Sequence, residues 1–264
     1  MITAYLRPKT LDEALTLLTQ PNRTPLGGGT LLSKPGADPV EAVDLQSLNL
    51  NTIEKQGNGL KIGATVTLQE LLSSEFCPDA LRPAIKLEAP LNLRNAATVA
   101  GTLVSCDGRS TLATGLLALD AKVEQMKLAD SKVETRVSNL GDFLPLRDLQ
   151  GWLITSITLS LNARFAFEYV SRTPADKPIV CAGLARWNSG RIRLALGGYG
   201  KSPMLAMDGT ETDGVDASAT DNILRSAQAA ARNAFHEASD EWASAEYRTD
   251  VAGTLAKRCL ERVS

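Results

Sequence analysis

Apolar positions along the chain change period several times, and each change predicts an element. Leu11, Ala14, Leu15, Leu17 and Leu18 recur at helical spacing. They follow Thr10-Leu11-Asp12-Glu13, a capping box in which the threonine takes a first-turn N–H while the glutamate reaches back. Residues 42–45, Ala-Val-Asp-Leu, read as a short strand. Leu60, Ile62, Ala64 and Val66 alternate with Lys61, Gly63 and Thr65, the pattern of a half-buried strand. A second capping box, Thr67-Leu68-Gln69-Glu70, then opens a helix through Leu72. The pattern predicts another helix over 81–88, stopped by Pro90, and an apolar helix capped by Ser110 that carries Leu112, Leu116, Leu117 and Leu119. A hairpin over 121–128 and 132–137 follows, then a strand with Ile157, Leu159 and Leu161.

Near Asn162 the organisation shifts. Strands are expected over 165–171, 179–187 and 191–197, then a long alanine-rich helix over 217–238. The last helix, over 243–263, places Tyr247, Val251, Leu255 and Cys259 at four-residue spacing. The fold class is therefore α+β. It comprises a larger region over 1–162 and a smaller sheet-plus-helices domain over 163–264.

Two glycine-bearing segments stand out, Leu26-Gly27-Gly28-Gly29-Thr30 and Thr98-Val99-Ala100-Gly101-Thr102. Read as loops, they offer backbone N–H groups to an anion, because glycine lets main chain approach a ligand closely. A pair of them suggests a long phosphorylated ligand; the plain alternative is two tight turns. Neither fits G-x-x-x-x-G-K-[ST] or G-x-G-x-x-G, so Walker-type and Rossmann readings lack support.

The 264 residues carry 28 Lys and Arg against 30 Asp and Glu, a formal net charge of −2. No basic tract interleaved with aromatics points to nucleic acid. No run of about 20 apolar residues predicts a membrane span, and the start lacks the apolar core of a secretory signal. Four scattered cysteines, Cys77, Cys106, Cys181 and Cys259, form no C-x-x-C pair. They predict neither a metal or iron–sulfur site within this chain nor a disulfide framework, and favour a reducing cytoplasm. Cys106 and the single histidine, His236, are expected to be a packing residue and a surface residue. No catalytic side-chain set is predicted, which suits a protein whose cofactor carries the chemistry.

The chain resembles the flavin-binding subunits of molybdenum hydroxylases, the carbon monoxide dehydrogenase medium subunit and the xanthine dehydrogenase flavin domain among them. The resemblance rests on Tyr5-Leu6-Arg7-Pro8, Leu11-Asp12-Glu13-Ala14, Leu26 to Thr30, Val43-Asp44-Leu45, Ile62-Gly63-Ala64 and Leu93 to Thr98. It continues through Leu116 to Ala121, Ser171-Arg172-Thr173, Gly197-Gly198 with Pro203, and Ser244 to Arg248.

The resemblance implies a two-part FAD-binding region of the PCMH/vanillyl-alcohol-oxidase type, with an inner boundary near 55–60, followed by the small C-terminal domain. FAD contacts carry over to Gly27, Gly28, Gly29, Thr30 and Leu31, to Thr98, Val99, Ala100, Gly101 and Thr102, and to Asp107 and Thr111. By the same resemblance the role is electron transfer. Electrons come from a molybdenum cofactor on one partner subunit, through [2Fe–2S] clusters on an iron–sulfur subunit, to FAD and on to NAD, a quinone or oxygen.

Departures from the family pattern are Leu31 where an aspartate is common, Ala100 where a glycine is common, Thr111 at a frequently acidic contact, and Glu168 where a lysine faces the flavin. They motivate a second reading, a flavin-less assembly subunit. A stand-alone FAD-dependent reductase is a third. Arg172 is expected to pair with Asp176 or else to contact the cofactor, and Arg94-Asn95 to fix the entry to the second glycine segment or else to contact FAD directly. Phe165, Phe167 and Tyr169 share one face of a strand, for core packing or for the flavin.

Overall fold

Of the two predicted capping boxes, the second forms in full and the first in its threonine half. Thr10 accepts the Glu13 amide at the start of helix Leu11–Leu18, and the Glu13 carboxylate reaches one residue further back than expected, to the Lys9 amide at 2.8 Å. Thr67 and Glu70 make the full reciprocal pair at the start of helix Leu68–Ser73. The computed structural model describes residues 2–33, 39–147, 149–210 and 217–264, with backbone alone over 217–221.

Contacts sort these residues into two compact units, neither of them continuous in sequence. The first takes Met1–Cys77, Ala89–Ser105 and Lys122–Leu159; the second takes Pro78–Glu88, Cys106–Ala121 and Ser160–Ser264. Division at residue 162 describes a chain cut once, whereas the contacts assign two earlier segments to the second unit.

The first unit holds two sheets. One is parallel, with strand Val40–Asp44 between Ile2–Leu6 and Arg23–Leu26. Helix Leu11–Leu18 buries Ala14, Leu15 and Leu18 in a cluster with Val43, Leu45 and Leu153. Each leucine so buried stabilises the unit by about 1.5–3 kcal/mol. The other sheet has the order Ile53–Gln56, Gly59–Gly63, Leu153–Ser160, Lys122–Ala129, Lys132–Asn139. Its hairpin matches the predicted one. The strands Ile2–Leu6, Arg23–Leu26 and Ile53–Gln56 escape the alternation rule, because they are four or five residues long and contribute no buried residue.

The second unit is built on an antiparallel sheet in the order Met204–Thr210, Arg191–Gly197, Val180–Trp187, Ala163–Val170. Ala182 and Leu184 join the core formed with helices Ala217–Ala234 and Ala245–Val263. Their alternates meet helix Thr111–Ala118 instead: Cys181 contacts Thr114, and Gly183 lies against Ala118. All eight residues of Thr111–Ala118 are buried. An apolar helix covered all round must sit inside a core, so it draws its flanking segment into the second unit.

The alanine-rich helix stops at Ala234, four residues short of the predicted end. Beyond it Arg248, fully buried, donates to the carbonyls of Ala238 and Ala243 and to both oxygens of Asp240. This organises the turn leading into the last helix. Among the described residues, no helix is long and apolar enough to cross a membrane.

Candidate functional site

Strands Arg23–Leu26 and Val40–Asp44 run parallel, and the Leu26 carbonyl accepts the Leu45 amide at 3.1 Å where both strands end. Ligands of parallel sheets bind beyond such carboxyl ends. There the first glycine segment leaves the sheet and borders a cavity of about 330 Å3 in the first unit.

Gly28 and Gly29 are needed for different reasons. A Cβ on Gly28 would stand 1.7 Å from the Ala96 carbonyl oxygen, a collision of main chain with main chain. Gly29 has φ +69, the left-handed conformation that side chains disfavour. Among the described residues, the amides of Gly27, Gly28, Gly29, Thr30 and Leu31 donate to no protein acceptor. Five unspent donors in one loop bordering a cavity suit an anion.

The second segment differs from its expected form. It is not a loop: Thr98 is followed at once by helix Val99–Ser105. Thr98 caps this helix, its hydroxyl accepting the Gly101 amide at 3.1 Å. The Val99 amide goes to the Val66 carbonyl and the Thr102 amide to the Thr98 carbonyl. In this segment the amides of Thr98 and Ala100 donate to no protein acceptor among the described residues. Arg94 braces the approach, donating to Gln69 and to the Ala89 carbonyl.

Of the twelve residues expected at the cofactor, the cavity gathers Gly27, Gly28, Gly29, Thr30, Leu31, Thr98, Ala100 and Gly101. Val99 is fully buried, and neither it nor Thr102 lines the cavity. Asp107 and Thr111 belong to the second unit. Thr111 is fully buried and donates to the Ala84 carbonyl at 2.6 Å. A carboxylate does stand at the start of this helix, from Glu88, which takes the Ser110 hydroxyl at 2.7 Å and the Leu112 amide at 3.0 Å. A negative charge suits the positive end of the helix dipole. Asp107 is exposed; it accepts the Arg109 amide, and Lys177 lies 3.6 Å away.

The other singled-out residues have protein partners. Glu168 pairs with Arg262 at 2.8 Å. Arg172 pairs with Asp176 at 3.5 Å, as predicted, and its guanidinium lies 4.5 Å from the Trp242 ring centre. Phe167 and Tyr169 stack with ring centres 6.2 Å apart. Cys106 is buried, and His236 is exposed beside Asn233 and Glu237.

Sequence reasoning missed Trp152 and Ile154, which line the cavity from more than a hundred residues downstream of the first glycine segment. Local pattern carries no sign of that meeting. Arg23 is the one charged residue among the described lining, and Glu41 pairs with it at 2.8 Å. The cavity is therefore an apolar slot whose anion donors are main-chain amides. That chemistry fits a dinucleotide diphosphate.

Comparison with known proteins agrees with this geometry. Residues 1–159 match the FAD binding domain in molybdopterin dehydrogenase, and residues 165–263 match the CO dehydrogenase flavoprotein C-terminal domain. An uncharacterised Escherichia coli K12 protein, YgfM, is 28% identical, over 97% of this chain and 94% of its own. The carbon monoxide dehydrogenase medium chain of Afipia carboxidovorans is 26% identical, over 98% of this chain and 95% of its own. The structure of reconstituted CO dehydrogenase from Oligotropha carboxidovorans superposes with a TM-score of 0.81 at 26% identity, covering 98% of this chain and 96% of that one. With one family model spanning more than half of its length, the chain belongs to the FAD-binding, medium-chain family of the molybdenum hydroxylase oxidoreductases.

Proposed function

We propose that this chain is the electron-transfer flavoprotein subunit of a molybdenum hydroxylase complex, with FAD held in the glycine-bordered cavity. One observation carries the reading: five unspent amides in a single loop, Gly27 to Leu31, border an apolar slot of about 330 Å3.

Each residue has a definite task. The Gly27–Leu31 amides take the diphosphate, with the Ala100 amide as a further donor. Main-chain donors cost no side-chain ordering and carry no charge that must be desolvated. Thr98 holds the first turn of its helix against Gly27, where an added Cβ would lie 2.9 Å from its hydroxyl oxygen. Leu31, half-exposed on the rim, presents an apolar surface where many relatives have an acid. The eight cavity residues are assigned to FAD. Thr111 spends its hydroxyl inside the second unit.

When bound, FAD supplies acceptance of electrons singly or in pairs. The same reading places their source on partner subunits, one with [2Fe–2S] clusters and one with the molybdenum cofactor, and their destination in NAD, a quinone or oxygen. A cytoplasmic location suits the four buried free thiols, of which Cys181 is pushed up to about 12 by burial and stays protonated at neutral pH.

The test is purification of the native complex. The expected result is a flavin spectrum, release of FAD on denaturation, and co-elution with iron- and molybdenum-bearing chains. A colourless chain that stays colourless after incubation with FAD, or a lone chain with full substrate turnover, rules the reading out.

A further inference from the structure

The edge of a sheet is a row of unpaired main-chain groups, and native proteins blunt it. Most edges among the described residues are blunted here. Register shifts interrupt the ladders of Ile2–Leu6 and Met204–Thr210, Arg23–Leu26 contains Pro25, and Ile53–Gln56 has only four residues. Ala163–Val170 buries Ala166 and Phe167. Strand Lys132–Asn139 is the exception, an eight-residue edge with an unbroken ladder to Lys122–Ala129 and no proline. On it Val133 and Val137 are 46% and 60% exposed.

Asp130 and Ser131, with φ +47 and +58, make the two-residue turn of this hairpin. Such a turn bonds the Lys132 amide to the Ala129 carbonyl, and hydrogen-bonded pairs alternate along the ladder from there. Lys132, Glu134 and Arg136 therefore spend their main-chain groups on the neighbouring strand, while Val133, Thr135 and Val137 turn theirs outward. Outside the ladder those three amides meet no acceptor among the described residues. Their side chains share one sheet face, with Leu128 opposite Val133 and packed against the apolar cluster of helix Leu11–Leu18. Glu134 and Arg136 share the other face, where Glu134 pairs with Lys127 at 3.0 Å and stays half-exposed.

The run Val133-Glu134-Thr135-Arg136-Val137 is its own antiparallel complement. With Thr135 opposite Thr135 of a second copy, Val133 faces Val137 and Glu134 faces Arg136, and each pairing recurs across the two-fold axis. In this register the outward main-chain groups of one copy meet those of the other. Threonine pairs, β-branched pairs and opposite charges are the cross-strand neighbours that hold antiparallel strands together. We propose that strand Lys132–Asn139 is a self-association surface, through which two copies of this chain join their five-stranded sheets edge to edge. Glu134 then lies between Lys127 of its own chain and Arg136 of the second copy. So short a ladder buries less than the roughly 800 Å2 per partner of a standard interface, so the dimer is weak and concentration-dependent. The inference goes beyond the flavoprotein reading and stands without it.

The experiment is sedimentation equilibrium of the full-length chain, alone and in its native complex, over a concentration series. Wild type is expected to pass from one copy to two as concentration rises. Thr135→Pro removes an outward amide and leaves the hairpin ladder intact, so the dimer should dissociate about tenfold more readily. Glu134→Lys and Arg136→Glu each set like charges face to face and should stay single. Mixed, they restore both opposite-charge pairs and should form a heterodimer, which a merely structural role would not produce. Thr135→Cys should link to its own counterpart under diamide, since a hydrogen-bonded pair sets Cα atoms about 5.5 Å apart. Val133→Cys, which faces Val137 and not itself, should not. A wild type that stays single at every concentration overturns the proposal. So does a dimer indifferent to Thr135→Pro, or equal linking of the two cysteine variants. A mixture that fails to associate, although both variants keep the wild-type circular dichroism, overturns it as well. A native complex in which a different subunit shields Thr135→Cys from a thiol reagent assigns the edge to that subunit and equally overturns it.

Discussion

The two glycine-bearing segments of the first unit look alike in sequence and behave differently in space. Both are short, poor in side-chain bulk and free of Lys or Arg. Gly27 to Leu31 stay outside regular structure and keep five amides unspent among the described residues. Thr98 to Thr102 enter a helix, and the cap and the main chain consume the Val99, Gly101 and Thr102 amides. Glycine content alone does not make an anion cradle. What matters is whether a neighbouring acceptor has already claimed the N–H.

The sharpest way to break this contrast is Gly28→Val. Its Cβ would meet the Ala96 carbonyl oxygen, and backbone cannot swing aside as a side-chain tip can. Full loss of FAD is expected, read from released flavin per chain. Retention at wild-type stoichiometry would show that the two segments do not abut as described. Gly29→Ala comes next. An alanine held at φ +69 costs about 1–2 kcal/mol, so FAD should bind about tenfold more weakly by calorimetry.

Thr98→Val tests the other segment. Loss of the cap should lower stability by about 1 kcal/mol in denaturant titration, with FAD bound more weakly but not lost. Gly101→Ala should do less. Its Cβ would stand 2.8 Å from the Thr98 hydroxyl oxygen, a side-chain atom able to rotate, and alanine favours the helix by about 0.5–1 kcal/mol. A Gly101→Ala protein as empty of flavin as Gly28→Val would make the two segments equivalent after all.

A last, small effect separates flavin loss from unfolding of the second unit. Hydrogen bonding from Arg191, with Arg193 also close by, holds the Asp208 carboxyl below its ordinary value of 3.8. A depressed folded-state pKa contributes stability that is present above 3.8 and lost as pH falls through the folded value. Melting temperature should therefore drop on acidification below about pH 4, and Asp208→Asn should flatten that limb. An unchanged limb in the variant would remove Asp208 from the acid response.

Legibility in the sequence followed the range of the interaction. Thr10, Thr67 and Ser110 marked helix starts because a cap is a contact over three residues. The hairpin from Lys122 to Asn139 was legible for the same reason. Thr98 is a cap of the same kind, yet its helix was hidden by the glycine two positions into it. Glu88 at the start of helix Thr111–Ala118 lay beyond reach, since its partners are more than twenty residues away. Arg23–Leu26, a four-residue strand containing a proline, is a strand only because Val40–Asp44 pairs with it.

The amino-acid order by itself determined the helix caps, the amphipathic faces, the change of organisation near Asn162 and the two glycine segments as candidates. Tertiary structure decided which amides stay free, which unit each segment joins, and that Trp152 lines the same cavity as Gly27. The physical reason is that capping and periodicity are local and written in neighbouring residues. Donor occupancy and cavity shape depend on groups the chain brings together only when it has folded.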